Sequence, residues 1–151
     1  MKKMKKDKGL LGEVQFSVHC RRHGLASTHQ RWAVYKELAG TLKHPDAATI
    51  YKGVKKRLPS ISLDTVYRTL RTFESKGMVV AVTTIHERTR YDADVSDHAH
   101  FVCTQCGAVT DIDEIEETDI NLLKNRGNFG KVSSVRVELH GICKECSRRS
   151  Q

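Results

Sequence analysis

Two pairs of cysteines carry the strongest chemical signal in the chain. Cys103 and Cys106 form one C-x-x-C pair, Cys143 and Cys146 form a second, and 36 residues separate the two pairs. A C-x-x-C turn places two sulfurs on one side of a tight loop, and two such turns supply the four thiolates of a closed tetrahedral Zn²⁺ site. Because a closed shell has no open coordination position, the predicted zinc site is structural. Two disulfides or four unconnected thiols are the alternatives that remain open.

Histidines and aspartates form a second candidate metal group. His98 and His100 form an H-x-H pair, which on a strand points both imidazoles to the same face. Asp92 precedes this pair, and Asp111 lies on the next predicted strand. Nitrogen and carboxylate donors are harder ligands than thiolates and suit Fe²⁺ or Mn²⁺, although Zn²⁺ also binds them. The pattern alone does not single out His44, because a lone His before Pro is more often a turn residue.

The positive charge of the chain is concentrated in its first half. Residues 1–90 carry 19 Lys and Arg against 7 Asp and Glu, whereas residues 91–151 carry 7 against 11. A basic half joined to an acidic half favours a polyanion-binding module attached to a second module, although a merely solvated basic surface has the same composition. Residues 1–10 hold five lysines and are predicted to be a mobile basic arm.

Length and composition favour two small domains and a cytoplasmic location. Hydrophobic residues make up only 38% of the 151 residues. This content fits two small cores stabilised by a bound metal better than one large core. No apolar run approaches the roughly 20 residues of a membrane helix. No apolar segment with a cleavage site follows the basic N-terminus. In the cytoplasm thiols stay reduced, which favours metal binding over disulfides.

Residues 1–90 are predicted to form a winged helix-turn-helix domain. Three helices run from Thr28 to Gly40, from the N-cap Asp46 to Pro59, and from the N-cap Ser62 to Gly77. A strand-like segment over 78–85, a turn at 86–88 and a short strand over 89–91 follow. A further short helix around residues 11–23 has poor periodicity. In such a fold the third helix enters the major groove of double-stranded DNA.

The third helix divides into a predicted buried stripe and a predicted DNA-facing side. The buried stripe consists of Leu63, Val66, Tyr67, Leu70 and Phe73. Thr65, Arg68, Thr69 and Arg71 lie off this stripe. Arg68 can make a bidentate contact to guanine or bind a phosphate.

Residues 91–151 are predicted to form a small α/β domain, so the whole chain is of the α+β class. Strands are expected over 100–103, 108–112 and 132–140, with a helix over about 116–125. Val135, Val137 and Leu139 alternate with polar residues on the last strand. So small a unit with an exposed apolar face is expected to dimerise.

Several stretches resemble the ferric uptake regulator (Fur) family, and together they span almost the full chain. They are Gln30-Arg31, His44–Tyr51, Ser62–Leu70, Arg90–Asp92, Ser96–Gly107 and Gly141–Cys146. The resemblance implies a homodimer that binds an A/T-rich inverted repeat in DNA, with Tyr67 stacked on a thymine methyl group. It also implies one regulatory Fe²⁺ or Mn²⁺ ion that bridges the two domains. The implied ligands are His44, Asp92, His98, His100 and Asp111.

Both carboxylate ligands in this set are aspartates. Iron-uptake regulators of the family usually carry Glu at the positions of Asp92 and Asp111, whereas its peroxide regulators carry Asp. The resemblance therefore implies a repressor that senses hydrogen peroxide through iron-catalysed oxidation of His44 or His98. An iron- or manganese-responsive repressor of metal-uptake genes is the alternative. A third metal site known in some members is expected to be absent, because only Asp97 among the positions Asp97, Ala99, Thr118 and Val135 can bind a metal.

Other functional classes fit the sequence less well. A zinc hydrolase needs an open metal and a general base, commonly in an H-E-x-x-H motif, and this motif does not occur. The chain is therefore not expected to be an enzyme. A zinc-ribbon interaction module would leave the third helix and His44 without a role. His29 is expected to be an exposed helix-start residue and Cys20 an ordinary thiol, and the segment with His19 and His23 matches no motif.

Overall fold

The computed structural model describes residues 11–112, 119 and 130–149. It divides the chain into two compact units, Met1–Val95 and Ser96–Gln151. The division falls later than the expected boundary between residues 90 and 91, because Tyr91 and Asp92 still belong to a strand of the first unit. No helix in the described part of the chain combines the length and the apolar character needed to cross a bilayer.

Four helices build most of the described part of the first unit, and three of them begin at side-chain caps. Their bounds are α1 Glu13–Arg22, α2 His29–Ala39, α3 Ala47–Lys55 and α4 Leu63–Ser75. Thr28, Asp46 and Ser62 accept hydrogen bonds from backbone N–H groups three residues on, at 3.2, 2.8 and 3.1 Å. Such caps satisfy donors that the first turn leaves without a helical partner. The predicted starts of α2, α3 and α4 are therefore confirmed.

Helix α4 ends just before Gly77, the glycine that the sequence analysis placed at the end of this helix. Gly77 has φ +69°, a left-handed conformation that glycine adopts without steric penalty. The Gly77 N–H donates to the Glu74 carbonyl at 3.0 Å, and the Met78 N–H donates to the Phe73 carbonyl at 2.9 Å. These bonds close the last turn and direct the chain into the following hairpin.

A two-stranded antiparallel hairpin follows α4. Strand β1 covers Val80–Ile85, strand β2 covers Arg88–Asp92, and a bulge lies between Ala81 and Thr84. The turn consists of His86 and Glu87, with φ of 49° and 62°. Two positive φ values match the tight turn whose twist suits antiparallel strands. The predicted three-residue turn is wrong by one residue, because Arg88 already pairs with Ile85.

The hydrophobic core of the first unit joins all four helices to the hairpin. Phe16 of α1 lies 5.0 Å from Tyr35 and 6.2 Å from Phe73, measured between ring centroids. Val34, Ile50, Val54, Val66, Leu70 and Met78 are fully or almost fully buried around these rings. Close packing of this kind fixes the orientation of α4 relative to the other helices.

In its described residues, the second unit contains a three-stranded sheet and a short helix near the C-terminus. Strands β3 Ala99–Cys103, β4 Val109–Ile112 and β5 Val137–Gly141 are arranged in the order β4-β3-β5, and α5 covers Lys144–Arg149. Strand β3 pairs antiparallel with β4 and parallel with β5. Strand β5 begins later than the predicted residue 132, because only Val137–Gly141 pair with β3. The predicted helix over 116–125 lies outside the described residues, apart from Asp119.

Candidate metal centres and nucleic-acid interface

The four paired cysteines converge at one end of the sheet in the second unit. Their sulfur atoms all lie within 4.8 Å of one another. The Cys106 and Cys143 sulfurs, one from each pair, are 3.9 Å apart. Four sulfurs at about 2.3 Å from a tetrahedral Zn²⁺ lie about 3.8 Å from one another, so the spacing fits that ion. All five cysteines lie in the described part of the chain and none of them forms a disulfide, so the disulfide alternative is wrong.

Backbone hydrogen bonds set up two tight turns around these sulfurs. Gly107 has φ +69° and its N–H donates to the Cys103 carbonyl at 2.9 Å, which closes the first turn. The Ser147 N–H donates to the Cys143 carbonyl at 2.9 Å at the start of α5, which closes the second. The Cys143 N–H points to the Cys103 sulfur at 3.3 Å and links the turns.

The acidity of the clustered thiols favours a bound cation. N–H groups around Cys103, led by those of Cys106 and Cys143, lower the pKa of its thiol to about 6. The hydrogen bond with Cys143 and burial raise the pKa of Cys146 to about 12. Four neighbouring thiols thus resist joint ionisation, and a divalent cation relieves that resistance because it binds thiolates. The residues present therefore fit a structural Zn²⁺.

In the first unit, His44 and Asp92 form a buried pair. His44 Nε2 lies 3.0 Å from Asp92 Oδ2, and the two residues are only 2% and 3% exposed. Two ligands at about 2.1 Å from a metal and at right angles to each other lie about 3.0 Å apart. The second carboxylate oxygen of Asp92 accepts a hydrogen bond from the Asp94 N–H at 2.8 Å. This bond orients the carboxylate toward the imidazole, as an outer-shell partner does in a metal site.

The backbone that positions His44 is unusual. His44 has φ 46°, a left-handed conformation that costs a non-glycine residue about 1–2 kcal/mol. The following residues are bound to strand β2: the Tyr91 N–H donates to the Pro45 carbonyl at 3.2 Å, and Asp46 forms an isolated bridge with Arg90. These contacts hold His44 beside the end of β2, where Asp92 lies.

His98, His100 and Asp111 form a donor group within the second unit. Asp111 Oδ1 lies 3.5 Å from the Nε2 atoms of both histidines. The pairing of His100 with Asp111 across β3 and β4 produces this geometry. His98 Nδ1 donates to the Ser96 carbonyl at 2.7 Å, which fixes the tautomer that presents an Nε2 lone pair. The residues fit a divalent cation that prefers nitrogen and carboxylate ligands.

Helix α4 presents a mixed surface of aromatic and basic side chains. Tyr67 is 45% exposed, and Arg68 and Arg71 also face solvent. Thr65 is half-buried, and its hydroxyl lies 2.8 Å from the Ser62 hydroxyl at the N-cap. Arg68 lies 3.9 Å from Asp64 one turn away, and both side chains are largely exposed. The arginines are therefore accessible to an anionic partner.

Three positions on α4 differ from the sequence-based division into two faces. Thr69 was expected on the DNA-facing side, but it is only 7% exposed and belongs to the buried face. The helical pattern placed Leu63 and Tyr67 on the buried stripe, but they are 38% and 45% exposed. For Tyr67, the family resemblance had implied the DNA-facing position instead. Leu63 is the first residue of the helix, and the buried residues of α4 begin only at Val66.

The remaining histidines and the fifth cysteine lie outside these groups. His29 is exposed at the start of α2, as expected. His86 is exposed in the hairpin turn, and His140 lies 2.8 Å from Glu138 on the surface of β5. Cys20 is fully buried in the core. The proposed absence of a third metal site stays a prediction, because Thr118 lies outside the described residues.

The sequence interpretation missed the role of Asp46 beyond its cap. Asp46 is only 4% exposed, and its second carboxylate oxygen lies 3.6 Å from Arg88 Nη1 on the hairpin. Burial alone would raise the pKa of Asp46, but hydrogen bonds from Thr49 and the charges of Arg90 and Arg88 outweigh it, so the pKa is lowered. The sequence signal that could have revealed this role was the pair of basic residues near the hairpin turn, Arg88 and Arg90.

Comparison with known proteins agrees with the fold. The model of the ferric uptake regulator family matches residues 22–140. The peroxide operon regulator of Bacillus subtilis is 37% identical over 131 residues, which cover 83% of this chain and 87% of that protein. The peroxide-responsive repressor PerR of Staphylococcus aureus is 33% identical over 126 residues, which cover 83% of this chain and 85% of that protein.

A solved structure of a related protein has the same fold as this chain. The Campylobacter jejuni peroxide stress regulator has a TM-score of 0.64 and 32% identity, and the match covers 90% of this chain and 100% of that one. The expected α+β fold, with helices before a small sheet domain, is confirmed. The matched family model, the curated relatives and the shared architecture lead to one assignment: this chain belongs to the ferric uptake regulator family.

Proposed function

We propose that this chain is a dimeric, metal-dependent transcriptional repressor that responds to hydrogen peroxide. Family membership and the names of its relatives in Bacillus subtilis and Staphylococcus aureus support this proposal. The observation that carries it is the donor set in each unit, in which every carboxylate belongs to an aspartate and His98 is held in one tautomer. Aspartates at these positions resemble the peroxide-sensing members of the family.

The two His/Asp groups are proposed to serve one Fe²⁺ or Mn²⁺ ion. His44 and Asp92 would contribute from the first unit, and His98, His100 and Asp111 from the second. A bound Fe²⁺ would supply the redox chemistry that activates hydrogen peroxide, which Mn²⁺ supplies poorly. The four cysteines would hold a separate Zn²⁺ that stabilises the second unit, because a closed thiolate shell leaves no position for peroxide.

Oxidation would act on the histidines themselves. One oxygen atom of the peroxide is inserted into a ring C–H bond of His44 or His98, and the other oxygen leaves as water. The oxidised ring binds a cation less well, because its nitrogens become amide-like and lose basicity. His44 lies beside a turn that is hydrogen-bonded to β2, so a change in its bonding is transmitted to the hairpin through Pro45 and Asp46.

Helix α4 would read the operator. Tyr67, Arg68 and Arg71 are exposed on this helix, with Thr65 near its start, and an A/T-rich inverted repeat is the proposed target. In a dimer, the separation of two such helices must match half-sites about one helical turn apart. A cation with higher affinity for the matching arrangement therefore raises DNA affinity by linkage.

Mass spectrometry after peroxide treatment tests the sensing mechanism. Protein loaded with zinc and Fe²⁺ should gain the mass of one oxygen atom on the peptide that carries His44 or His98, and should release its operator DNA. The matched control is Mn²⁺-loaded protein, which should retain the DNA and show little oxidation. Release of DNA only after iron removal, with no added oxygen, would instead identify an iron-responsive repressor.

A further inference from the structure

Two histidines at the end of α1 form a group that the proposed function does not use. His19 and His23 are four residues apart, so they lie on the same side of a helical turn. Their ring centroids are 4.7 Å apart, and the planes are inclined by 66°. The His23 N–H donates to the His19 carbonyl at 3.3 Å, so the backbone turn that joins the two residues is closed. Both side chains are half-buried.

One of these rings is already held in a ligand tautomer. His23 Nδ1 lies 2.7 Å from the Lys76 carbonyl at the end of α4, and a carbonyl can only accept, so Nδ1 carries the proton. The Nε2 atom of His23 therefore presents a lone pair. Histidines that bind metals almost always donate their other ring N–H to a carbonyl or carboxylate in this way.

The surroundings of His19 restrict its ring as well. The ring centroid of His19 lies 6.0 Å from that of the buried Tyr35, which places the imidazole against the core. Burial, together with His23 and Arg22, lowers the pKa of His19. A lowered pKa keeps the imidazole neutral over a wider pH range, and only the neutral ring binds a metal.

The position at the helix end also favours a cation. His23 is the C-cap residue of α1, next to the carbonyl groups that give a helix C-terminus its partial negative charge. The charges of Arg21, Arg22 and Lys76 oppose this effect, but water screens their exposed side chains. A site with two imidazoles and no carboxylate selects Zn²⁺, Ni²⁺ or Cu²⁺ over Mn²⁺, because the first three prefer nitrogen ligands.

We propose that His19 and His23 form an additional two-histidine site for a divalent transition ion, which joins α1 to the C-terminal end of α4. The ion binds between the rings, with water at its other positions. Because His23 also bonds the Lys76 carbonyl, the bound ion stabilises the contact between α1 and the end of the proposed DNA-reading helix. The site shares no residue with the cysteine group or with the five proposed regulatory ligands.

Titration of the full-length, zinc-loaded protein with Ni²⁺ tests this site. The wild type should bind one Ni²⁺ more than the His19→Gln and His23→Gln variants. Each variant should lose about tenfold or more in affinity for that ion, since even loss of an outer-shell partner typically costs 10–100-fold. His29→Gln is the matched control, because His29 is a lone exposed histidine on the next helix. Equal Ni²⁺ binding by all four proteins would overturn the proposal.

A second measurement does not depend on the folding of any variant. Paramagnetic Ni²⁺ should broaden the ring NMR signals of His19 and His23 in the wild-type protein, at a molar ratio that leaves the His29 signals sharp. Broadening confined to His44, His98 and His100 would contradict the proposal. Retained zinc content and retained Mn²⁺-dependent DNA binding would show that the Gln variants are folded. These readouts do not involve peroxide, so they separate this proposal from the proposed function.

Discussion

Asp46 connects helix α3 to the hairpin through one buried carboxylate. It caps α3 through Thr49, pairs with Arg88 on the hairpin, and follows the strained residue His44 by two positions. Replacement of Asp46 by Ala should reduce the free energy of unfolding by about 1–2 kcal/mol, because the cap is lost. Asp46→Asn should cost less at neutral pH, since the amide oxygen still accepts from the Thr49 N–H. Urea denaturation of the three proteins measures the difference.

The charge of Asp46 also predicts a pH dependence. Its pKa in the folded protein is lowered from 3.8, so the folded state favours the ionised carboxylate. This contribution is fully present above the unfolded pKa and is lost as the pH falls through the folded pKa. The stability difference between wild type and Asp46→Asn should therefore shrink in acid below about pH 4. A difference that stays constant from pH 7 to pH 3 would show that the charge contributes nothing.

Asp111 tests whether carboxylate length matters at the proposed regulatory site. Its Oδ1 lies 3.5 Å from two imidazole nitrogens, and the extra methylene in Asp111→Glu moves the carboxylate relative to both. The variant should keep Mn²⁺-dependent DNA binding, because a carboxylate ligand remains, but it should lose sensitivity to peroxide. Fluorescence anisotropy with labelled operator, before and after peroxide, provides the measurement. Asp97→Glu is the control, and unchanged sensitivity in Asp111→Glu would refute the argument.

At the scale of elements, α4 separates residues that face solvent from residues that face the core. Arg68→Ala should weaken operator binding by about 1–3 kcal/mol, because it removes a base or phosphate contact. Thr69→Val should change binding little, since Thr69 is buried and valine has a similar shape. Titrations at two salt concentrations then show whether Arg68 contacts a phosphate, in which case the salt slope falls by about one. A larger loss for Thr69→Val than for Arg68→Ala would contradict this division.

Helix α1 contributes a core residue that its sequence pattern hardly reveals. Phe16 is fully buried among Trp32, Tyr35 and Phe73, whereas Val14 is 75% exposed. Phe16→Ala should cost about 3–5 kcal/mol of unfolding free energy, because it leaves a cavity between aromatic rings. Val14→Ala should change stability by about 0.5 kcal/mol or less. Thermal and urea unfolding of the two variants measure both effects.

The sequence interpretation succeeded for elements whose signals lie within a few residues, and it failed where an element depends on residues distant in the chain. The caps Thr28, Asp46 and Ser62 act within one helical turn, so the sequence alone located the starts of α2, α3 and α4. Helix α1 buries only Phe16 and Cys20 and exposes two valines, which blurs its period. The start of β5 depends on pairing with β3, which is distant in sequence. Local patterns contain no information on that partner.

The candidate sites follow the same rule. Cysteine spacing alone identified the thiolate group, because the spacing itself creates the turns. His44 entered the second group only through family resemblance, since its position depends on a left-handed backbone and on contacts between Pro45 and β2. Thr69 was assigned to the wrong face because a threonine carries no polarity signal strong enough to distinguish a buried from an exposed position on a helix.

At the scale of the whole molecule, the described parts of the two units have very different cores. The large buried cluster belongs entirely to the first unit, from Phe16 to Tyr91. In the second unit the described buried hydrophobic residues are few, and two of them are the proposed zinc ligands. They are Ala99, Val102, Cys103, Val109 and Cys146. Because the described core of this unit is so small, we expect a bound metal to contribute much of its stability.

Calorimetry can separate the two units. Zinc-loaded protein should show one zinc-independent transition for the first unit and one transition that disappears after zinc removal or in Cys103→Ser. Cys20→Ala is the control, because it removes a buried thiol of the first unit without touching the cysteine group, and it should keep full zinc content by mass spectrometry. Loss of both transitions on zinc removal would show that the first unit needs the second to fold.

The parallel pairing of β3 with β5 has a consequence for how the chain avoids misfolding. Cys103 lies opposite Gly141 in this parallel pair, so the cysteine turns that follow the two strands lie at the same end of the sheet. A slip of one residue would displace one turn by about 3.3 Å along the strand, which is too far for four sulfurs to share an ion. We therefore expect a bound zinc ion to stabilise only the observed register of these two strands, which come from distant positions in the chain.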